Sequence, residues 1–173
     1  GARRNCEIVS DSIRVKIPEI AAHLVNYDFV VDKEGRGDFL TVQDAINAVP
    51  DYLSAVKTIL IKPGVYRERI IIPAGKSYLR IKGSGADNTV IAYDNAARKL
   101  WPDSKKEIGT TGSSSMFVDA SFVTFEDLTI SNDAGQGDGI GQAVALLTDG
   151  DGIYFHRCRI TGNQDTIYTC GRY

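Results

Sequence analysis

Val123-Thr124-Phe125-Glu126-Asp127-Leu128-Thr129-Ile130-Ser131-Asn132 returns thirty positions later as Ile153-Tyr154-Phe155-His156-Arg157-Cys158-Arg159-Ile160-Thr161-Gly162. Val aligns with Ile, Phe with Phe, Leu with Cys, Ile with Ile and Ser with Thr, at an offset of 30. Both copies alternate apolar and polar residues, the pattern of a strand with one buried face. Short strands recurring at a period of about 20 to 50 residues indicate stacked coils, each burying its apolar face on the next. A parallel β-helix fits this pattern. An antiparallel sandwich is the rival, but the two-residue turns that join antiparallel hairpins are scarce here, which favours coils.

Outward from this repeat, the same texture covers most of the chain. Strands are expected at residues 27–31, 58–61, 69–72, 78–82, 89–93, 115–118, 122–130, 143–147 and 153–160. Pro63-Gly64, Pro73-Ala74-Gly75 and Gly83-Ser84-Gly85 punctuate them as turns. One helix is expected: Thr41 caps it, Asp44 stands in the third position after the cap, Val42, Ala45, Ile46 and Val49 share a face, and Pro50 stops it. Residues 94–112 form a long polar insertion containing Trp101-Pro102 and Lys105-Lys106, and residues 1–26 form a poorly patterned lead-in to the domain at 27–173.

Composition narrows the function classes. The 22 acidic and 20 basic residues leave a net charge of −2, so no basic field points to nucleic acid. No run of 18 apolar residues occurs, and no membrane span is expected. The three cysteines, Cys6, Cys158 and Cys170, are too scattered for a disulfide framework, although a Cys158–Cys170 bridge stays open. Cys158 falls on an apolar strand position. His156 is expected outward. With two histidines and no Gly-x-Ser-x-Gly elbow, a Ser-His-Asp hydrolase is not expected. The loop aspartates Asp127, Asp133, Asp138, Asp149 and Asp151 fit no calcium-loop spacing, so no metal is expected.

Gln164-Asp165 follows the Gly162-Asn163 break, where an amide and a carboxylate at a strand edge can supply an anion stabiliser and a proton donor. Alone the pair reads as a solvated turn. Its neighbours change that reading. The segment 38–46, Asp-Phe-Leu-Thr-Val-Gln-Asp-Ala-Ile, resembles the opening motif of the pectin methylesterases (pectinesterases). Pro63-Gly64-Val65-Tyr66-Arg67-Glu68, Gln142-Ala143-Val144-Ala145-Leu146 and Gly162-Asn163-Gln164-Asp165-Thr166-Ile167-Tyr168 resemble three further motifs of that family, in its order. The first of these reads as structural, with Tyr66 packing and Glu68 pairing with a nearby arginine.

The resemblance implies a right-handed parallel β-helix and hydrolysis of galacturonate methyl esters in pectin, releasing methanol, with two aspartates and neither metal nor cofactor. It casts Asp165 as general acid and base, protonating the departing methoxide and then activating water. An acid in that role needs a pKa raised by a neighbouring carboxylate and partial burial. Gln164 and Gln142 would hold the oxyanion, since neutral amides donate without ionising. Ser115 is the expected sugar contact. Asn163 replaces the family's common aromatic. The family's second aspartate, in Asp-Phe-Ile-Phe-Gly, and its Leu-Gly-Arg-Pro-Trp segment are not among the 173 residues. The expectation is therefore the N-terminal part of such a domain, inactive alone, its last coil covered by further coils or a protein cap. Secretion or a bacterial periplasm is implied by the substrate. Another β-helix pectinase, a lyase or a glycosidase, and a silent polysaccharide-binding β-helix are the alternatives.

Overall fold

The computed structural model describes residues 27–171; the lead-in 1–26, including Cys6 and His23, lies outside them. The thirty-residue repeat becomes hydrogen-bonded register. Thr124, Phe125 and Glu126 pair with Tyr154, Phe155 and His156, and Thr129, Ile130 and Ser131 pair with Arg159, Ile160 and Thr161, both in parallel.

Thirteen strands and two short helices are described. In chain order they are β1 (Phe29–Val31), α1 (Val42–Ala48), β2 (Lys57–Ile61), β3 (Gly64–Arg67), β4 (Ile70–Ile72), β5 (Leu79–Lys82), β6 (Thr89–Tyr93), α2 (Gly109–Gly112), β7 (Met116–Val118), β8 (Thr124–Glu126), β9 (Thr129–Asn132), β10 (Leu146–Thr148), β11 (Tyr154–His156), β12 (Arg159–Thr161) and β13 (Ile167–Thr169). They form three sheets, ordered β1-β2-β5-β8-β11, β3-β6-β9-β12 and β4-β7-β10-β13. All ten pairings between them are parallel, which excludes the antiparallel sandwich. From β2 onward each coil contributes one strand to each sheet, and β1 adds a fifth strand to the first: a right-handed parallel β-helix.

The corners explain where the strands differ from expectation. Residues 122–130 and 153–160 read as single strands, yet each bends once, at Asp127 (φ 56°) and Arg157 (φ 51°). One left-handed residue turns the chain and returns Leu128 and Ile130 to the interior beside Phe125. Apolar spacing alone does not reveal such a corner. Pro63-Gly64 likewise opens β3 rather than closing a turn, and buries Tyr66, whose hydroxyl donates to Lys62 O at 3.0 Å.

The interior is a column of inward side chains, including Ile59, Ile81, Phe125, Ile91, Ile130, Ile70, Met116 and Leu146. At one end α1 lies over it, burying Val42, Ala45 and Ile46. Thr41 caps α1 as expected. Glu68 adds to the cap, accepting from Val42 N at 2.9 Å and Gln43 N at 3.0 Å, and pairs with no arginine among the described residues. Gln43 pairs its amide with both backbone groups of Ile71, closing the free edge of β4. Lys76 donates to Asn47 O and Val49 O at the helix C-terminus. At the other end the inward residues Phe155 (37% exposed) and Ile167 (53%) face a cavity of about 350 Å³, also lined by Leu146, Ile153 and Ile160. Nothing among the described residues covers it. Cys158 packs against this end of the core, Cys170 is exposed, and both are free thiols. His156 is exposed, as expected.

Candidate functional site

Three loops leave the second sheet for the third on the same side of the molecule: residues 94–115, 133–145 and 162–166. Backbone hydrogen bonds stack them. Ser115 N donates to Val144 O at 3.0 Å, Ala143 N to Gln164 O at 3.0 Å, and Ala145 N to Thr166 O at 2.9 Å. Gln142 therefore lies one coil from Gln164, with a rung spacing of about 4.8 Å. Asn132, 2% exposed, ties the corners together. Its amide donates to Asn95 O at 2.9 Å, Ser113 O at 3.1 Å and Val144 O at 2.9 Å, and its carbonyl accepts from Ala134 N at 3.0 Å. Ser113 Oγ accepts from Val144 N at 3.1 Å. A buried network in which each group is satisfied holds one geometry.

The expected site residues divide. Gln142 is half-buried, and its carbonyl accepts from Ala97 N at 2.7 Å. Gln164 and Asp165 are exposed. Their side chains and that of Gln142 engage no partner among the described residues, so both amides and the carboxylate are unengaged there. Asp165 has φ 55°, but Asp127, Arg157 and Phe122 share that conformation at other corners, so it marks a turn rather than chemistry. The partial burial that an acid/base carboxylate needs is not supplied by the described residues around it. Ser115 is 0% exposed and its hydroxyl donates to Tyr93 O at 3.3 Å.

Next to these corners the outer face of the third sheet forms a groove of about 360 Å³, lined by Phe117, Leu147 and Tyr168, with Arg69 and Thr111 on its wall and Asp149 at its far end. The first three are the central residues of β7, β10 and β13, paired in register along the coil axis. None was a candidate from sequence. Their signal is alternation: Phe117 stands between buried Met116 and Val118, so it points outward. Tyr168 is the register partner of Leu147, in β13, three residues after Asp165.

The pectinesterase family model matches residues 28–172. Pectinesterase QRT1 of Arabidopsis thaliana is 41% identical over an alignment of 146 residues that covers 80% of this chain and 37% of that protein. Among solved structures, the pectin methylesterase PemA of Erwinia chrysanthemi superposes with a TM-score of 0.76 at 36% identity, covering 84% of this chain and 46% of that one. A pectin methylesterase in complex with a hexasaccharide superposes with a TM-score of 0.74 at 36% identity, covering 84% of this chain and 46% of that one. The chain thus spans less than half the length of these relatives. The matched region holds all three stacked corners and all three sheets, and the chain belongs to the pectinesterase family.

Proposed function

We propose that this chain carries the acid/base and oxyanion side of a site that hydrolyses galacturonate methyl esters in pectin, acting on cell-wall material outside the cell or in a periplasm. The observation that carries this reading is the stacking of Gln142 over the Gln164–Asp165 corner, joined by Ala143 N to Gln164 O at 3.0 Å, beside an apolar groove. When a nucleophile adds to the ester carbonyl, its oxygen becomes an oxyanion. Neutral amides aimed at that charge from a rigid scaffold stabilise it without ionising. Collapse of the adduct expels methoxide, which Asp165 protonates. The resulting carboxylate then takes a proton from the water that releases the galacturonate. The family resemblance assigns the attack to a second aspartate, in a motif absent from the 173 residues. A carbohydrate substrate accords with the hexasaccharide bound by one structural relative.

The test is methanol release from highly methylated pectin, by this chain and by the chain joined to the coils that follow the matched region in a relative. Activity in the extended protein that falls by about 10² to 10⁴ on Asp165→Asn supports the assignment. Methanol released at an unchanged rate by the variant removes Asp165 from the reaction. Methanol from the 173 residues alone would place an attacking carboxylate among them. Methanol from neither form rejects the esterase reading.

A further inference from the structure

The segment that leads into Gln142 has little stiffness of its own. Residues 135–141 read Gly-Gln-Gly-Asp-Gly-Ile-Gly, four glycines in seven positions, and glycine leaves the backbone its widest range. A Cβ added at Gly135, Gly137 or Gly139 would meet nothing within 4 Å, so no described residue packs there. Inside the segment, Ile140 N and Gly141 N both donate to Gly137 O, at 2.9 and 3.2 Å, which closes only a local turn. An amide that stabilises charge at one point needs a firmer anchor than this.

The anchors begin at Gln142 itself and continue after it. Three join backbone to backbone: Ala97 N to Gln142 O at 2.7 Å, Ala143 N to Gln164 O at 3.0 Å and Ser115 N to Val144 O at 3.0 Å. Two come from buried side chains. Ser113 Oγ accepts from Val144 N at 3.1 Å, and Asn132 Nδ2 donates to Val144 O at 2.9 Å. The Ser113 hydroxyl is itself fixed, since it donates to Thr110 O at 2.6 Å and so turns a lone pair to Val144 N. Asn132 Nδ2 also donates to Ser113 O at 3.1 Å. The pair therefore grips both backbone groups of Val144, two residues from Gln142, and the two residues grip each other. Ser113 is 0% and Asn132 2% exposed.

We propose that Ser113 and Asn132 are positioning residues for Gln142: they fix the backbone that aims its amide at the oxyanion, against the freedom of the glycine segment before it. The proposal rests on the pectin reading and deepens it. Both side chains are closed off from solvent, so they act on the reaction only through Gln142. An oxyanion donor works in the transition state, so its displacement lowers kcat and leaves KM in place.

The experiment follows methanol release by the extended protein against the concentration of highly methylated pectin. Ser113→Ala is nearly isosteric and leaves Val144 N without its acceptor. It is expected to lower kcat about tenfold with KM within about twofold. In a Gln142→Ala background no amide is left to aim, so the same substitution is expected to change kcat by less than about twofold, which also shows that the variant is folded. Gly139 has open space and a backbone outside the left-handed region, so Gly139→Ala stiffens the segment without strain. Added to Ser113→Ala, it is expected to raise kcat about threefold. An unchanged kcat, a rise in KM alone, an equal loss in both backgrounds, or no gain from Gly139→Ala overturns the proposal and leaves the pectin reading standing. If Gln142→Ala itself changes nothing, the oxyanion assignment falls and the proposal with it. Extended protein that releases no methanol before any substitution rejects the pectin reading as well.

Discussion

Replacing Asp127 with asparagine tests whether the corner between the first two sheets is held by charge. Asp127 accepts from Lys82 Nζ and from Arg157 Nε and Nη2, the last at 2.9 Å. Its side chain is 16% exposed, that of Lys82 22% and that of Arg157 60%. The Arg157 arm lies in solvent and contributes about 0.5 kcal/mol. The Lys82 arm is sheltered and charge-assisted, worth about 1.5 kcal/mol after allowing for the contact that Lys82 keeps with Glu126. Asparagine tolerates the left-handed backbone of this corner as well as aspartate does, so Asp127→Asn isolates the charge. Urea unfolding at pH 7 should show a loss of about 2 kcal/mol. The pH dependence has a fixed sign. Arg157 first, then Lys82, hold the Asp127 carboxyl well below the usual carboxylate range. Its contribution is therefore present above the unfolded value of about 3.9 and is lost as pH falls toward the folded one. The gap between wild type and variant should narrow progressively below about pH 4. No gap at pH 7, or a gap that widens on acidification, refutes the reasoning.

Phe125→Ala removes a 0%-exposed ring stacked on Phe155 at 5.0 Å and should cost about 3 to 5 kcal/mol in urea unfolding, whereas a loss under about 1 kcal/mol would mean the column repacks. Glu68→Gln weakens the acceptor for Val42 N and Gln43 N, so hydrogen exchange at those two amides should quicken while the amides of β8 keep their protection. Gly150→Ala would put a methyl group 2.1 Å from Ala120 O in the adjacent coil, and should cost about 3 kcal/mol or more, seen as loss of soluble folded protein or a low thermal midpoint. Asn132→Ala should leave the Asn95, Ser113 and Val144 carbonyls short of a donor, destabilising the site corners by about 2 kcal/mol; unchanged thermal stability would remove Asn132 from that role.

The coil repeat was legible because its inward residues recur at constant spacing: Phe125 lies over Phe155 and Ile130 over Ile160, thirty positions apart in both sequence and register. The helix was legible because Thr41 and Asp44 are local signals that need no distant partner. Glu68 was misread because its partners are two backbone amides more than twenty residues away, which no side-chain pattern announces. The candidate site lies between these cases. Gln142 and Gln164 are 22 positions apart, close to the 21-residue offset of β10 on β13, whereas β8 and β9 stand 30 positions from β11 and β12, because the loop 133–145 is longer than the loop 162–166. A search at the core's period therefore never aligns them; motif resemblance brought both forward, and the bond from Ala143 N to Gln164 O makes them neighbours. Ser115, at the end of the loop 94–115, is buried with its hydroxyl on Tyr93 O, and the same loop places Trp101 beside Arg69. In a stacked-coil protein the interior tolerates little change of length in the strands, whereas the corners accept insertions without disturbing the ladder. Chemistry placed at those corners can change from one relative to another on an unchanged scaffold. Which corner residues meet in space must then be read from the hydrogen-bonded rungs beneath them.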